Sequence, residues 1–179
     1  MLLTRAAVSF SRAFGARFAL FLLFLLFFPG AARAALFDIE AQDLATELSA
    51  ARRGGRRLAV FFELPDCPNC LKMKRDVFSD RKAAKRFGRV YRAVRINLAS
   101  PLPIADARGQ KSSALVIAES CRVYAVPSFA FFDREGGLEY RHMGGLSHAS
   151  ELLRLGRYVS EAIYEERSFH DYLSSFSKH

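Results

Sequence analysis

The sequence has no tryptophan and few zinc-binding side chains, with three cysteines and four histidines among 179 residues. A structural zinc site needs four ligands, usually two CxxC pairs or one such pair with two closely spaced histidines. Only one CxxC motif is present, Cys67-Pro68-Asn69-Cys70, and no two histidines have that spacing. The composition therefore disfavours zinc and favours a redox role for the cysteine pair. We expect no metal or cofactor.

Acidic residues are absent from the first 34 positions, which instead hold four arginines. Three of these arginines precede the unbroken apolar run 18–28, which is short for a bilayer span. Pro29-Gly30 then breaks the run, and Ala32-Arg33-Ala34 has small residues at alternate positions. This pattern predicts a signal peptide at 1–34 and places residues 35–179 in the periplasm or otherwise outside the cytoplasm.

An uncleaved membrane anchor is the alternative interpretation of residues 1–34, and it would also export the body of the protein. Removal of the leader lowers the formal net charge from +9 to +5, because four arginines leave with it. The remaining charge gives no reason to expect nucleic acid as a partner. The basic run 52–57 is interpreted as a solvated turn, with a membrane-surface or acidic-partner role as the alternative.

The CxxC motif follows an apolar run, Leu58–Phe62, and precedes a stretch of good helix formers. This order predicts a strand that leads into a helix, with Cys67 at the N-cap and Pro68 at the first helical position. Cys70 then takes the third position and faces back toward Cys67. The positive end of the helix dipole favours a thiolate at the N-terminus, so the pair is suited to form and break a disulfide.

Hydrophobic periodicity along residues 35–179 predicts one α/β domain without internal repeats. The sequence predicts a strand over 90–96, in which Val90, Val94 and Ile96 are expected to share one face, with Tyr91 beside Arg95 on the other. The expected order of elements is a helix over 44–51, a strand over 58–62, the CxxC helix to residue 78, a helix over 80–87, a strand over 90–96, a long loop over 97–111, a helix over 112–121, an antiparallel hairpin over 128–143, a final helix from 148 and a short one near 170–176.

Pro127 directly precedes the predicted strand 128–132, where a tight turn made by a cis X–Pro bond would explain it. With this proline, the order of elements resembles the thioredoxin superfamily. The resemblance implies a thioredoxin fold, a central mixed β-sheet flanked by helices, with a long loop before the cis-proline helix. It also implies that Pro127 shapes the site, that Val126 offers its backbone to an extended substrate, and that Pro68 and Asn69 contact that substrate.

Within the superfamily, the leader, the run Phe61-Phe62-Glu63 before the CxxC motif and the stretch 126–136 most resemble the periplasmic thioredoxin-related proteins of sulfur oxidation, the SoxW type. The body of the chain also resembles the terminal domain of transmembrane thiol reductases. These relatives imply a reductase of periplasmic protein thiols or disulfides. The implied electron donor is another thiol protein, with a membrane thiol reductase as one candidate.

Two positions depart from thioredoxin itself, which has an acidic residue six positions before the first cysteine and an aromatic one immediately before it. Here those positions are Phe61 and Asp66. Glu63 lies two residues after Phe61 on the same strand face, where a desolvated carboxylate would take the proton from Cys70. The alternative for Glu63 is an exposed carboxylate at a strand end.

In the expected cycle, the Cys67 thiolate attacks a partner disulfide and Cys70 resolves the mixed disulfide. Asp66 and Glu63 oppose a thiolate at Cys67 while Lys72 and Lys74 favour it from further away, and this balance favours a reducing role. Three alternatives remain open: a disulfide-forming oxidant, a non-catalytic peptide-binding module and a copper-handling protein.

Outside the motif, the third cysteine, Cys121, is expected to be a buried structural residue. The histidines are expected at the surface or at strand ends, namely His142, His148, His170 and His179.

Overall fold

The computed structural model describes residues 35–176 of the chain. The predicted signal peptide at 1–34 and His179 lie outside the described residues, so the leader stays a prediction. Of the helices in the described part, none has both the length and the apolar character needed to cross a bilayer.

Six helices and six strands make up the described part of the chain, and two short helical turns of other types connect some of them. The helices are α1 (Leu44–Arg53), α2 (Pro68–Met73), α3 (Arg81–Val90), α4 (Ala114–Ser120), α5 (Ala149–Ser160) and α6 (Phe169–Ser174). A π-turn (Lys74–Phe78) follows α2, and a 3₁₀ turn (Ile163–Glu165) follows α5. The strands are β1 (Arg57–Glu63), β2 (Tyr91–Asn97), β3 (Ile104–Ala105), β4 (Lys111–Ser112), β5 (Ser128–Phe132) and β6 (Leu138–Met143).

Four strands form the central sheet in the order β2-β1-β5-β6. β1 and β2 are parallel, whereas β5 pairs with both β1 and β6 in antiparallel fashion, so the sheet is mixed as predicted. Phe62 near the end of β1 pairs with Ser128 at the start of β5. This register brings the residues after β1 and those before β5 to the same edge of the sheet.

Each face of the sheet packs against helices, and the two faces differ in composition. The face covered by α2, α3, α5 and α6 is rich in aromatic rings, among them Phe37, Phe61, Phe78, Phe87, Phe129 and Phe131. The face covered by α1 and α4 is mainly aliphatic, with Leu44, Leu48, Leu58, Val60, Val94, Ile96 and Ile117. We call these the aromatic face and the aliphatic face. Burial on both faces supplies the main driving force for the fold.

The structure corrects several predicted boundaries. Val90 is the last residue of α3 and is exposed, so it does not share the buried strand face of Val94 and Ile96. Tyr91, expected near a polar edge, is buried and donates a hydrogen bond to the Gly156 carbonyl. Val90 is β-branched and directly precedes a strand, so the local sequence favours a strand at this position. In the structure, α3 has not yet ended there.

Three further segments differ from the prediction. The loop over 97–111 contains one strand of a small hairpin, because β3 pairs with β4 at its end. The helix expected from residue 112 starts only at Ala114, where Ser113 caps it through the Val116 N–H. The CxxC helix changes to a π-turn after Met73, which a pattern based on 3.6 residues per turn does not distinguish.

Candidate active site

The CxxC motif lies where β1 ends and α2 begins. Cys67 is the N-cap of α2 and Pro68 is at the first helical position, as predicted. The two cysteines are joined as a disulfide with their Cα atoms 5.2 Å apart. Cys67 is half-buried and flanked by exposed residues, whereas Cys70 is fully buried. A partner can therefore approach the Cys67 sulfur but not the Cys70 sulfur.

The backbone of α2 contributes directly to the chemistry of Cys67. The Cys70 N–H donates a hydrogen bond to Cys67 Sγ at 3.1 Å, which is the side-chain cap of this helix. A bond donated to sulfur stabilises the thiolate over the thiol, and the positive end of the helix acts in the same direction. When the disulfide opens, Cys67 is thus the sulfur that is better prepared to carry negative charge.

The loop before β5 reaches the same edge of the sheet. The Val126–Pro127 peptide bond is cis, Pro127 is buried, and Val126 is half-buried. Gly145 connects this loop to α2: a Cβ there would lie 3.6 Å from Pro127 Cγ and 3.7 Å from Met73 Sδ. The structure therefore places the proline loop beside the helix that carries Cys70.

Hydrogen bonds fix the two sides of Val126 but not Val126 itself. Ser128 Oγ donates to the Ala125 carbonyl at 2.7 Å, and the Gly144 N–H donates to the Pro127 carbonyl at 2.9 Å. Within residues 35–176, no hydrogen bond uses the N–H or the carbonyl of Val126. An extended segment of another protein could pair with these backbone groups, as in the addition of a short strand.

Glu63 is buried with only 3% of its surface exposed, so the alternative of an exposed carboxylate at a strand end is wrong. Its Oε1 accepts hydrogen bonds from Lys74 Nζ at 2.7 Å and from Arg95 Nη1 at 2.9 Å. Arg95 also donates to Glu40 Oε2 at 2.9 Å. Two cations thus compensate the charge that a buried carboxylate would otherwise carry alone.

Lys74 lies one helical turn after Cys70, so the Glu63–Lys74 pair is on the side of α2 that faces the sheet near Cys70. The bonds of Glu63 within the described part of the chain go to Lys74 and Arg95, with none to either sulfur. Sequence reasoning did not identify these two partners. The signal in the sequence was Arg95. A cation in the middle of a buried strand requires an anionic partner, and this requirement pointed to a buried carboxylate.

Compensation of Glu63 changes the expected charge balance around Cys67. Neither Glu63 nor Lys74 acts as a free charge on the thiol, because each neutralises the other. Asp66, which is exposed and adjacent to Cys67, remains as the near charge that opposes the thiolate. Lys72, also exposed, remains as the more distant favourable charge.

Cys121 is buried, as predicted, and lies on the aliphatic face, whereas Cys70 lies on the aromatic face. Burial raises the pKa of the Cys121 thiol to about 11, so it stays protonated near neutral pH. The sheet separates this thiol from the disulfide, which favours a structural role.

The histidines divide into exposed and packed residues. His148 and His170 are exposed, in agreement with the prediction. His142 lies in β6 with its ring 5.0 Å from that of Phe169 and 6.3 Å from that of Phe129, and burial lowers its pKa. In residues 35–176, no three His, Cys, Asp or Glu side chains come together in a way that would hold a metal ion.

Comparison with known proteins identifies relatives of this fold. A family model described as a thioredoxin-like domain matches residues 44–160. No curated protein matches the sequence. Among solved structures, the chain is similar to a thioredoxin-fold protein from Helicobacter pylori, with 15% identity, a TM-score of 0.53, and coverage of 68% of this chain and 81% of that chain.

Two further structures give the same result. A candidate disulphide-isomerase from Bacteroides thetaiotaomicron has 20% identity and a TM-score of 0.54, with coverage of 70% of this chain and 96% of that chain. A thioredoxin from Thermus thermophilus has 24% identity and a TM-score of 0.50, with coverage of 68% and 87% respectively. The predicted fold is confirmed by these similarities.

Proposed function

Because the chain belongs to the thioredoxin-like domain family and carries the Cys67–Cys70 pair, it is a thiol:disulfide oxidoreductase, and we propose that it reduces a disulfide of a periplasmic partner protein. The observation that carries this proposal is the asymmetry of the pair. Cys67 is reachable and its sulfur accepts a backbone N–H, whereas Cys70 is buried behind it.

The proposed cycle begins with both cysteines reduced. The Cys67 thiolate attacks one sulfur of the partner disulfide, forms a mixed disulfide and releases the other partner sulfur as a thiolate, which takes up a proton. Cys70 then loses its proton and attacks Cys67 Sγ, which closes the Cys67–Cys70 bond and releases the second partner sulfur. Two electrons pass to the partner, and a separate thiol donor restores the dithiol.

Substrate binding is assigned to the edge of the sheet around Val126. Its free backbone groups would pair with an extended segment on one side of the partner disulfide. Buried Pro127 holds this loop against α2, and exposed Pro68 and Asn69 form the outer surface of the motif. These four residues are where a partner chain would contact the domain.

Glu63 is assigned as the proton acceptor for Cys70, with Lys74 and Arg95 holding it in place. Support comes from its burial and from its position on the strand face of Phe61, which packs in the same cluster as Cys70. Since the bonds of Glu63 go to the two cations, the proton would pass through a water molecule.

The direction of electron flow is proposed from the charges near Cys67. The exposed carboxylate of Asp66 opposes the thiolate, so the reduced form is stabilised only moderately relative to the disulfide. A moderately perturbed thiol suits a reductase better than a strong oxidant. The resemblance to the SoxW type and to membrane thiol reductases supports the same direction.

Export and subfamily complete the proposal. Residues 1–34 would direct the chain to the periplasm as a cleaved signal peptide, leaving 35–179 as the mature domain. A SoxW-type role would make the partner a protein of sulfur oxidation whose cysteine must be kept reduced. A membrane thiol reductase would then supply the electrons.

The test is insulin reduction by the purified protein with a chemical reductant. Wild type should accelerate the reaction and Cys67→Ser should return it to the uncatalysed rate, because the attacking sulfur is lost. Cys121→Ser is the matched control and should retain the wild-type rate. Equal rates for wild type and Cys67→Ser would refute catalysis.

The reduction potential of the Cys67–Cys70 pair tests the direction. A value near that of thioredoxin, about −270 mV, is expected, whereas one near about −120 mV would assign the protein as an oxidant. Equilibration with glutathione redox buffers, followed by thiol counting, gives this value.

A further inference from the structure

A groove runs between α3 and the first two turns of α5, on the outer side of the helices that cover the aromatic face. Its volume is about 630 Å³, within the range of roughly 300–1,000 Å³ found for ligand clefts. Ala83, Ala149 and Leu153 contribute apolar surface to it. The CxxC motif does not line this groove.

Four cations line the groove, and all four are exposed. None of them forms a salt bridge with a described residue. Among residues 35–176, Asp80 is the one acidic residue in the lining, and its carboxylate caps α3 by accepting the Ala83 N–H at 2.7 Å. The groove therefore carries uncompensated positive charge. The cations are Lys82, Lys85, Arg86 and Arg89.

The shape of the groove distinguishes between anionic partners. A flat membrane surface would contact the exposed cations but would not fill the recess between α3 and α5 that Leu153 lines. A peptide segment can do both, with its carboxylates on the cations and its apolar side chains against Ala83, Ala149 and Leu153. We propose that this groove binds an acidic segment of a partner protein that alternates carboxylates with apolar side chains.

The groove lies close enough to the thiols for one partner protein to reach both. This link between the groove and the thiols rests on the proposed function. Between Cys67 and Asp80 lie α2, the π-turn and Ser79, and this path spans no more than about 20 Å at 1.5 Å per residue. An extended chain covers about 20 Å in roughly six residues. A redox partner could therefore hold its acidic segment in the groove while its disulfide, six or more residues away, reaches Cys67.

The first experiment measures binding alone. A fluorescein-labelled peptide, Glu-Leu-Glu-Leu-Glu-Leu-Glu, is titrated with the protein at 50 mM NaCl and followed by fluorescence anisotropy. Lys82→Gln, Lys85→Gln and Arg86→Gln are combined in one variant, which should bind about tenfold more weakly because three exposed charge contacts are lost. Binding to wild type should weaken at 300 mM NaCl because salt screens exposed charges.

A matched control variant removes the same charge elsewhere. Arg108→Gln, Lys111→Gln and Arg122→Gln change three exposed cations outside the groove, and this variant should bind within twofold of wild type. Equal weakening of both variants would overturn the proposal. So would vesicles with 30% phosphatidylglycerol that bind through the groove cations when the peptide does not. Circular dichroism verifies that both variants fold.

The second experiment separates this proposal from the proposed function. Two disulfide peptides are compared, one of which carries the Glu-Leu segment six residues from its disulfide. Wild type should have a lower KM for the tailed peptide, and the groove variant should lose that advantage at unchanged kcat. An equal KM for both peptides would overturn the docking role. Failure to reduce either peptide would refute the reductase while the anisotropy result stands.

Discussion

The two faces of the central sheet each bury one cysteine away from solvent, yet only one of these cysteines is joined to a reachable sulfur. Cys70 on the aromatic face follows a helix cap and bonds to Cys67. Cys121 on the aliphatic face has its pKa raised to about 11 by burial, with no charged group among the causes. Reactivity is therefore set by what surrounds a cysteine on its face and not by burial alone.

The aromatic face also contains the fully buried charged side chain of the described residues, Glu63. Lys74 and Arg95 meet it there, whereas the Arg92–Glu47 pair beside the aliphatic face is only partly buried. A buried carboxylate is retained only when cations compensate it, so this arrangement costs stability that a hydrocarbon pair would not cost. The aromatic face thus holds both the redox-active Cys70 and the packing that tolerates substitution less well. The following substitutions test this difference.

The largest effect is expected from serine at the two buried cysteines. Cys70→Ser should leave Cys67 able to attack but unable to be resolved, so a mixed disulfide with the partner accumulates and turnover stops. Cys121→Ser should keep turnover and lower the free energy of unfolding by about 1–3 kcal/mol, since it buries a hydroxyl. Non-reducing mass spectrometry detects the mixed disulfide. Full turnover by Cys70→Ser would contradict the assigned resolving role.

The next effect is expected at the buried carboxylate. Glu63→Gln leaves Lys74 without its anion and Arg95 with Glu40 alone, and it should cost about 1–3 kcal/mol in unfolding free energy. The rate of insulin reduction should fall about tenfold, less than the roughly 10²–10⁴-fold of typical acid–base groups because water can replace the carboxylate.

Glu40→Gln is the control for this substitution, because Glu40 also pairs with Arg95 but has a side chain that is 33% exposed. It should cost about 0–1 kcal/mol and leave the pH profile of the rate unchanged. The profile of Glu63→Gln should differ from that of wild type. If the two variants give the same profile, Glu63 has no role in proton transfer.

A smaller effect is expected from alanine at two helical glycines. A Cβ at Gly156 in α5 would lie 3.1 Å from two ring carbons of Phe87, so Gly156→Ala should overpack the aromatic face and cost about 1–3 kcal/mol. A Cβ at Gly88 in α3 meets nothing within 4 Å. Gly88→Ala should therefore add up to about 1 kcal/mol through helix propensity. Urea denaturation measures both, and a stabilising Gly156→Ala would show that this face can rearrange.

The smallest effect is expected from pH. Burial lowers the pKa of His142, although Glu151 opposes this shift, so the folded state favours the neutral ring. Stability should be full above the unfolded pKa of about 6.5 and should fall as the pH drops below it, because the unfolded chain then binds more protons. His142→Gln should reduce this dependence and His148→Gln, at an exposed position, should not. Thermal unfolding between pH 5 and 8 makes the comparison, and identical curves for both variants would exclude His142 as the cause.

Much of the site was predictable because its signals are local. The N-cap at Cys67, the first-position Pro68 and the strand before them follow from neighbours within a few residues. The hairpin after Pro127 follows from strong strand formers on both sides of a glycine turn. The prediction that Val90 belongs to a strand was wrong for the same reason. The strand preference of valine is a local signal, whereas the end of α3 depends on packing.

Sequence alone determined that two cysteines occupy a helix start, because capping and proline geometry act over three or four residues. Only the tertiary structure decided that Glu63 is buried and compensated. Its partners Lys74 and Arg95 are 11 and 32 residues away, and they meet it only because parallel β1 and β2 and the helix after β1 pack together. Long-range electrostatic pairing depends on distances that folding sets, and no local pattern encodes those distances.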